Sequence, residues 1–543
     1  MWLPVSRQAS LLLASMGVRS PAVVPRESTS FSIEVPAASA ADLSGTVDPS
    51  FAGFAFEEAS FVRYAQDDDG EVNTFSVNLI DAITSRTGGD PIIRLGGTSP
   101  DYGNYIPDQT EPALPVAEQD NYQNVGYTTI GPSYWDLTKN FPGAKYMVQV
   151  PLVNTNVSEA IAWVESAVNG IGIDNIHSIQ PGNEPDLYAD SYEGEGGVYL
   201  GPPDYQGTLS NETYVGNYTK YVDAILEAVN LPTGRLFTAF DVATHFGDAV
   251  QEESYIFDVE TCFGLGIDEK GVIKEVSHHY YQRNAGTADD LADGLMDTSV
   301  THTHLDQFKR HISWLQENQP DIPFILNEVG NSLFKTNSYE FQARLGSALW
   351  QVDFYLYSLA IGIARINYQQ IMHAGYDLWL PVASAGLEAQ VFANYYSQPF
   401  VADFIGSSGN TRVAKLDISG GGGDDDVPAN LAVYAAYEGD AAKRIAITNL
   451  DSWNETSSGT ARPNVTLELS VPDGVTSVQV YHLNSPAGAG AAADSITYGG
   501  SQWTYENLGK EVKNVRQDSE NITVDNGVAS VTVENSEAVL VWL

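Results

Sequence analysis

The sequence predicts an α/β fold: a (β/α)8 TIM barrel with a C-terminal antiparallel β-sandwich domain. From about residue 50, short apolar or β-branched runs alternate with longer segments of helical spacing, which is typical of a parallel barrel. After about residue 406 the runs become short, alternating and separated by turns, which favours a β-sandwich. The 543 residues exceed one ordinary domain and fit a barrel plus a smaller domain.

Each element of the barrel is predicted from a local pattern. Segments 158–168, 305–315 and 341–359 have helical spacing, and the last is so apolar that we expect it to be buried on most sides. The runs that we interpret as the eight barrel strands are residues 53–57, 91–97, 146–150, 176–185, 236–240, 276–281, 322–330 and 363–370.

Four segments follow from these patterns. Residues 1–30 are either a leader or a disordered N-terminus, because residues 9–18 form only a short apolar core after Arg7. Residues 31–48 hold a strand that we expect to join the β-sandwich. Residues 49–405 form the catalytic barrel and residues 406–543 the C-terminal β-sandwich domain.

Composition excludes several classes of function. A formal net charge of −44 argues against a nucleic-acid partner and disfavours tight binding of long polyanions. Cys262 is the only cysteine, so neither an internal disulfide nor a thiolate zinc cluster can form. No later run approaches ~18 apolar residues, so we expect no membrane span. We predict a secreted, extracellular monomer, and the sequons that weakly support secretion begin at Asn156, Asn211, Asn217, Asn454, Asn464 and Asn521.

Two of the predicted strands end in a glutamate beside an asparagine: Asn183-Glu184-Pro185 and Asn327-Glu328. The carboxyl ends of parallel barrel strands form the active face of this fold. Two carboxylates facing each other are the minimum needed to cleave a glycosidic bond. We therefore predict Glu184 as the acid/base and Glu328 as the nucleophile, although either alone would also fit an exposed loop. Pro185 predicts an extended backbone at Glu184.

Other polar residues on the strands have plainer interpretations. His278 and His279 lack thiols or carboxylates at ligand spacing, so we predict no metal site. Arg94 is interpreted as a buried cation paired with carboxylates. Lys335 either meets a substrate carboxylate or is a solvated loop lysine.

The strand-end motifs together resemble glycoside hydrolase family 79, the family of β-glucuronidases and heparanase, within clan A. The resemblance spans roughly residue 31 to the C-terminus and implies a retaining mechanism, a C-terminal β-domain and no cofactor. The motifs that carry it are residues 54–57, 93–98, 180–185 and 276–281, the segment 330–334, and residues 339–362.

The resemblance also implies contacts with a sugar. It assigns the hydrogen bond to the nucleophile to Tyr280 and support of the same face to His278. Asn183 would meet the sugar 2-hydroxyl. The remaining implied substrate-binding residues are Glu57 for hydroxyl groups and Asn331, Ser332, Gln370 and Tyr376 around the glucuronate.

These features favour an exo-acting retaining β-glucuronidase that removes terminal glucuronate, with or without a 4-O-methyl group, from glycans. Two alternatives stay open. One is an endo-acting, heparanase-like β-glucuronidase, and the absence of basic clusters counts against it. The other is a non-catalytic glycan-binding protein on a barrel scaffold, since a fold does not guarantee a function.

Overall fold

The protein is described from a computed structural model that covers residues 30–117, 128–152, 157–188, 193–194, 198–199, 210–243, 257–283, 291–333, 338–373, 376–420 and 427–543. Residues 1–29, which hold most of the predicted leader, lie outside the described residues, as does Lys335. Within the described part of the chain, no helix combines the length and the apolar character that a membrane span requires.

Eight parallel strands close into a barrel, which confirms the predicted fold class. Each of the eight predicted runs coincides with one strand. The strands are β1 (Ala52–Glu57), β2 (Ile92–Gly96), β3 (Lys145–Val150), β4 (Ile176–Pro181), β5 (Phe237–Val242), β6 (Ile273–Arg283), β7 (Phe324–Ser332) and β8 (Ile366–Gln370).

The barrel interior contains a small apolar cluster followed by a polar layer. Ile92, Met147 and Ile325 pack together near the start of their strands. The next layer toward the carboxyl ends is polar: Asn367 donates to Asn327, and Asn327 donates to Gln180. A buried polar layer is stable only when its members hydrogen-bond to one another. This hydrogen-bonded layer leads to the carboxyl ends of the strands.

Helices surround the barrel. The helix Leu345–Ile361, predicted from its apolar composition, is buried over most of its length between the barrel and the second domain. The longer helices are α1 (Glu58–Ala65), α2 (Thr74–Thr87), α3 (Val157–Ile171), α4 (Asn211–Ala228), α5 (Val259–Gly264), α6 (Thr298–Asp306), α7 (Lys309–Asn318), α8 (Leu345–Ile361) and α9 (Ser397–Ile405). Shorter ones span Thr98–Tyr102, Ser133–Asp136 and Ser338–Phe341.

The C-terminal domain consists of two sheets that enclose a separate apolar core. The N-terminal strand Ser30–Ile33 lies parallel to the strand Asn464–Ser470 in the smaller sheet. The longer strands are β9 (Thr411–Leu416), β10 (Leu431–Glu438), β11 (Ala441–Asn449), β12 (Asn464–Ser470), β13 (Ser477–Asn484), β14 (Ser519–Thr523), β15 (Val528–Glu534) and β16 (Glu537–Trp542). Alternating buried and exposed residues along β12 and β15 match the alternation in the sequence.

Asp353 of α8 joins the two domains. Its carboxylate accepts hydrogen bonds from Tyr434 at 2.7 Å and Thr448 at 3.2 Å, both in the second domain. His302 of α6 lies 3.0 Å from the same carboxylate. Burial by itself would raise the pKa of Asp353, but His302 and these donors lower it below its ordinary value. The charged form therefore holds the domains together.

Candidate active site

Glu184 and Glu328 meet at the carboxyl-terminal end of the barrel. Glu184 follows β4 and Glu328 lies in β7. One carboxylate oxygen from each, together with a ring nitrogen of His279, lie within 4.8 Å of one another. The pairing predicted from the two strand-end motifs is therefore present as a single cluster.

The backbone of Glu184 is left-handed, with φ 48° and ψ 53°, so the extended conformation predicted from Pro185 is wrong. The Glu184 N–H donates to the Asp241 carbonyl at 2.9 Å, which holds this turn. A non-glycine residue in this region costs about 1–3 kcal/mol and is commonly found at functional sites. The turn places Glu184 above the barrel end instead of continuing the strand.

Arg94 is the hub of the cluster and has no exposed surface. Its guanidinium donates to Glu328 Oε2 at 2.6 Å and to Asp241 Oδ2 at 2.9 Å. It also donates to Gln180, Gln149 and Asn183 at 3.0, 3.1 and 2.7 Å. Only arginine presents five donors in one plane. The interpretation of Arg94 as a buried cation paired with carboxylates is confirmed, and one partner is the candidate nucleophile.

Asp241 is the second anion bound to Arg94, and sequence reasoning missed it. Positive φ values at Phe240 (76°) and Asp241 (52°), with a register shift at the end of β5, turn its side chain inward. There it accepts hydrogen bonds from Ser277 at 2.7 Å, Asn327 at 3.1 Å and Gln180. The signal that found the two glutamates, a carboxylate at the end of a buried strand, applies to Asp241 as well.

His279 bridges the acid/base candidate and Asp241. Its Nδ1 lies 3.0 Å from Glu184 Oε1, and its Nε2 lies 3.0 Å from Asp241 Oδ2. Burial alone would lower the pKa of His279, but Asp241, Glu328 and Glu184 outweigh it and raise the pKa to about 10. The ring is therefore an imidazolium at neutral pH.

This protonation state bears on metal binding. The spacing of Glu184, His279 and Glu328 would suit a cation. An imidazolium has no lone pair to offer a metal ion, so a metal would have to displace its proton. Glu184, His279 and Glu328, together with Arg94 and Asp241, form one charge network.

The assignment of the nucleophile's hydrogen bond to Tyr280 is wrong, because Tyr281 makes this bond, at 2.7 Å from Glu328 Oε1. Tyr280 instead bonds Gln282 and stacks on Phe354 of α8 at 4.8 Å. Successive residues of a strand face opposite sides, so an error of one residue exchanges the inner and outer sets. Within His-His-Tyr-Tyr, the inner pair is His279 and Tyr281.

The same shift corrects His278. Its ring packs among Phe240, Phe308 and Phe324, between the strands and the helices, and burial holds its pKa well below its ordinary value. Ser277 also identifies the inner set, because its hydroxyl reaches Asp241 inside the barrel.

Tyr281 and Tyr280 form a matched pair for mutation. Tyr281→Phe removes a hydrogen bond to a charged group, which is worth about 1.5–3 kcal/mol, so we expect kcat to fall about 10- to 150-fold. Tyr280→Phe should change kcat less than about twofold and affect only thermal stability. Steady-state kinetics on an aryl glycoside tests this, and a kcat loss in Tyr280→Phe larger than that in Tyr281→Phe would contradict the assignment of Tyr281 to the inner face of β6.

Two predicted sugar contacts lie at the barrel end. The amide oxygen of Asn183 accepts from Arg94 at 2.7 Å, which orients the side chain. The Glu57 carboxylate accepts from Ala59 N at 2.9 Å and from Ser99. Gly97, with φ 111°, gives it room, since a Cβ there would lie 3.0 Å from Glu57 Cγ. Burial raises the pKa of Glu57 to about 7, beyond what its hydrogen bonds offset.

Of the remaining predicted residues, one lies near Glu328, and two of the others have side chains that hydrogen-bond within the protein. Tyr376 packs beside Tyr281 with ring centroids 5.7 Å apart, close to the nucleophile. Asn331 donates to Ser347 at 2.7 Å and accepts from Gln342 at 2.9 Å, so its side chain supports the loop after β7. Gln370 accepts from Leu378 N at 3.1 Å and donates to the Gln369 carbonyl. Ser332 is fully buried in β7.

Four buried carboxyl groups around the barrel end favour stability at acid pH. Burial raises the pKa values of Glu57, Asp101, Asp186 and Asp377 to about 7, in each case against hydrogen bonds that lower them. A raised folded-state pKa means that the folded protein binds more protons than the unfolded chain. The stabilisation is complete below about pH 4 and is lost as the pH rises through about 7.

We therefore expect the melting temperature to fall from about pH 6.5 to about pH 8. The depressed pKa values of Asp241 and of the buried His278 and His311 act in the opposite sense, but only below about pH 6.5. Asp186→Asn mimics the protonated acid and should make the decline shallower. Scanning calorimetry across this range checks the expectation, and a melting temperature that rises toward pH 8 would contradict it.

Comparisons with known proteins agree with this geometry. Residues 433–540 match the model of the glycosyl hydrolase family 79 C-terminal beta domain. A β-glucuronidase of Neurospora crassa is 26% identical over 547 residues, covering 92% of this chain and 94% of its own. A β-glucuronidase of Aspergillus niger is 26% identical over 569 residues, covering 99% of both chains.

Solved structures share the architecture. A 4-O-α-L-rhamnosyl-β-D-glucuronidase from Fusarium oxysporum superposes with a TM-score of 0.75 at 21% identity, covering 94% of this chain and all of its own. A family 51 arabinofuranosidase from Xanthomonas axonopodis pv. citri reaches 0.61 at 15% identity, covering 94% and 99%. At these identities the structural matches show the fold. Together with the matched family model and curated relatives, they support the resemblance to glycoside hydrolase family 79 that the strand-end motifs indicate.

Proposed function

We propose that the protein is an exo-acting, retaining β-glucuronidase that releases terminal glucuronate from glycans. The observation that carries the proposal is the separation of Glu184 and Glu328, whose facing oxygens lie within 4.8 Å. Retaining glycosidases have carboxyl groups about 5–5.5 Å apart, whereas inverting enzymes need about 6.5–9.5 Å to admit a water molecule. The two curated relatives named β-glucuronidase support the choice of sugar.

The surroundings of the two carboxylates support their roles. Glu328 receives a cationic donor from Arg94 and a neutral donor from Tyr281, which stabilise an anion and fix its direction. Glu184 Oε1 lies 3.0 Å from His279 Nδ1, and the Glu184 side chain is more exposed than that of Glu328, at 18% against 10%. A nucleophile must stay ionised and directed, whereas an acid/base must reach the leaving group and then water.

The reaction would proceed in two displacements. In the first, Glu328 Oε attacks the anomeric carbon while the bond to the leaving oxygen breaks and Glu184 gives that oxygen its proton. In the second, Glu184 takes a proton from water, whose oxygen attacks the same carbon and releases Glu328. Asn183 would donate to the sugar 2-hydroxyl through its amide NH2, because Arg94 occupies its oxygen.

The contacts that select glucuronate are proposed near Tyr376 and Glu57. Both lie beside the nucleophile, Tyr376 through Tyr281 and Glu57 through its electrostatic interaction with Glu328. Asn331 and Gln370 are assigned a supporting role, since their side-chain hydrogen bonds are made within the protein. We also propose that backbone amides of the loop after β7 contact the glucuronate. Secretion and a monomeric state stay predictions.

A panel of nitrophenyl β-glycosides tests the choice of sugar. We expect hydrolysis of the glucuronide to exceed that of the glucoside, galactoside and xyloside by at least about a hundredfold in kcat/KM, about 2.7 kcal/mol of discrimination. Proton NMR during turnover should show the β-anomer of the sugar first. The α-anomer as first product would contradict a retaining mechanism, and no hydrolysis of any glycoside would revive a purely glycan-binding role.

Product size separates exo from endo action. A long glucuronate-containing glycan should yield only monosaccharide from its ends, with the polymer length almost unchanged. An endo-acting enzyme would instead shorten the polymer rapidly and release oligosaccharides. The net charge of −44 favours the exo mode, because a long polyanion would be repelled along its length.

A further inference from the structure

A second cavity of about 210 Å³ lies between the barrel and the β-domain. We call it the interdomain cavity. None of the residues of the charge network around Glu184 and Glu328 lines it. Its lining consists of Tyr339, Ala343, Ala389, Gln390, Val391, Phe392, Ala492, Ala493, Asp494, Trp503, Thr504, Tyr505 and Glu506.

Its apolar wall combines small side chains with rings that are held in place. Trp503 is buried and packs edge-on against Tyr395 and Tyr396, with centroids 5.7 and 5.6 Å away. Tyr339 packs edge-on against Phe392 at 6.1 Å. Such fixed rings lose little conformational entropy when a ligand packs on them. Among the lining aromatic residues, Tyr505 is the exposed one, at 43%, so it is available at the cavity mouth.

The polar groups of the lining include the amide of Gln390, the hydroxyls of Thr504, Tyr339 and Tyr505, and the carboxylates of Asp494 and Glu506. Hydroxyl groups of a sugar pair with all of these types, while the C–H groups of a pyranose ring pack on aromatic faces. The lining contains two acidic residues and no Lys or Arg, and the nearby Arg86 and Arg344, which lie against Trp503 and Tyr339, are already paired with carboxylates, so a uronate would meet repulsion. The chemistry therefore favours a neutral sugar.

Size and position agree with this choice. A cavity of about 150 Å³ in another protein accommodates benzene, so about 210 Å³ is enough for one six-membered ring with its hydroxyls. Tyr339 follows the end of β7, and Gln390 and Phe392 follow the end of β8. Two of the segments that leave the catalytic end of the barrel thus contribute to the cavity.

We propose that the interdomain cavity binds a neutral sugar residue of the glycan whose terminal glucuronate is removed at Glu184 and Glu328. The inference rests on the proposed function. When one glycan binds at two places, the second contact is intramolecular. The cavity should therefore lower the KM for the glycan and leave the KM and kcat for small substrates unchanged.

Direct binding tests the proposal with neutral trisaccharides of glucose, xylose and galactose, and trigalacturonate as the acidic probe. The variants are Tyr505→Ala, which removes the mouth ring, and Ala492→Trp, which fills the cavity from a half-buried position of extended backbone (φ −82°, ψ 164°). Leu508→Ala, 47% exposed and outside the lining, is the matched control. Saturation-transfer NMR and calorimetry report binding.

We expect at least one neutral trisaccharide to bind the wild type, with an affinity reduced at least about fivefold in Tyr505→Ala, lost in Ala492→Trp and unchanged in Leu508→Ala. Hydrolysis of nitrophenyl glucuronide should be equal in all four proteins, while KM for the glycan rises in both cavity variants. Absence of neutral-sugar binding, unchanged binding in Tyr505→Ala, or equal binding of trigalacturonate would overturn the proposal. If the aryl glucuronide is hydrolysed and any of these occurs, the cavity inference alone fails; if it is not hydrolysed, the proposed function fails.

Discussion

Glu328→Gln is expected to lower kcat on an aryl glucuronide by at least about a thousandfold, equivalent to about 4 kcal/mol of transition-state stabilisation. An amide cannot form the covalent intermediate, and it also removes one of the two anionic partners of the Arg94 guanidinium, the one at 2.6 Å. The loss should be the same for good and poor leaving groups, because every substrate needs the nucleophile.

Glu184→Gln should behave differently. The variant cannot protonate a poor leaving group, so activity on an alkyl glucuronide should fall at least about a thousandfold. Nitrophenolate leaves without protonation, so the rate of the first displacement on a nitrophenyl glucuronide should fall much less. Added azide, which needs no general base, should restore turnover and give a β-glucuronosyl azide. This rescue pattern, if seen in Glu328→Gln instead, would reverse the two assignments.

An exposed glutamate provides the matched control. Glu71→Gln makes the same chemical change at a solvent-exposed position and should leave kcat unchanged. Melting temperatures of all three variants measure whether the fold survives. A loss of activity that follows a loss of stability would not support catalytic roles for Glu184 and Glu328.

Arg94→Met is expected to have the second largest effect, on both stability and turnover. It removes the cation that two buried carboxylates share, Asp241 at 2.9 Å and Glu328 at 2.6 Å. Breaking a buried ion pair from one side costs about 3–5 kcal/mol, because a charge is left without a partner. Glu328 also loses the hydrogen bond that orients its carboxylate, so we expect kcat of the folded fraction of the variant to fall at least about a hundredfold.

Arg365→Met is the control for a buried ion pair without a catalytic role. Arg365 pairs with Glu275, in the part of the barrel interior where His177 and Thr238 also bond that carboxylate. This variant should lose comparable stability and keep kcat within about threefold. Urea unfolding and steady-state kinetics on both variants decide the matter: equal kcat losses would mean that Arg94 acts on the fold alone.

The prediction of the fold succeeded because barrel strands are buried on both faces. The strand β7, for example, is buried at every position, and such strands appear in a sequence as short apolar runs that turns interrupt. The helix α8 was recognisable for the same reason, since a helix that is apolar on most sides must be covered on most sides. These patterns depend on local composition and need no knowledge of distant contacts.

The site was predictable only in part. Glu184 and Glu328 stand out because a carboxylate at the end of an apolar run has no packing purpose. Asp241 has the same feature, but the predicted strand 236–240 ends one residue before it. The choice between His278 and His279, or between Tyr280 and Tyr281, depends on the phase of β6, which four consecutive polar aromatic residues do not reveal.

The sequence by itself determined the barrel, the β-domain and the two facing glutamates, because burial and strand ends are local properties of the chain. Only the tertiary structure decided which face of β6 looks inward and that Arg94, Asp241 and His279 form one charge network. Those contacts join residues up to 234 positions apart, such as Arg94 and Glu328. Their geometry follows from barrel closure, in which a shift of one residue moves a side chain from the catalytic interior to the helix-covered exterior.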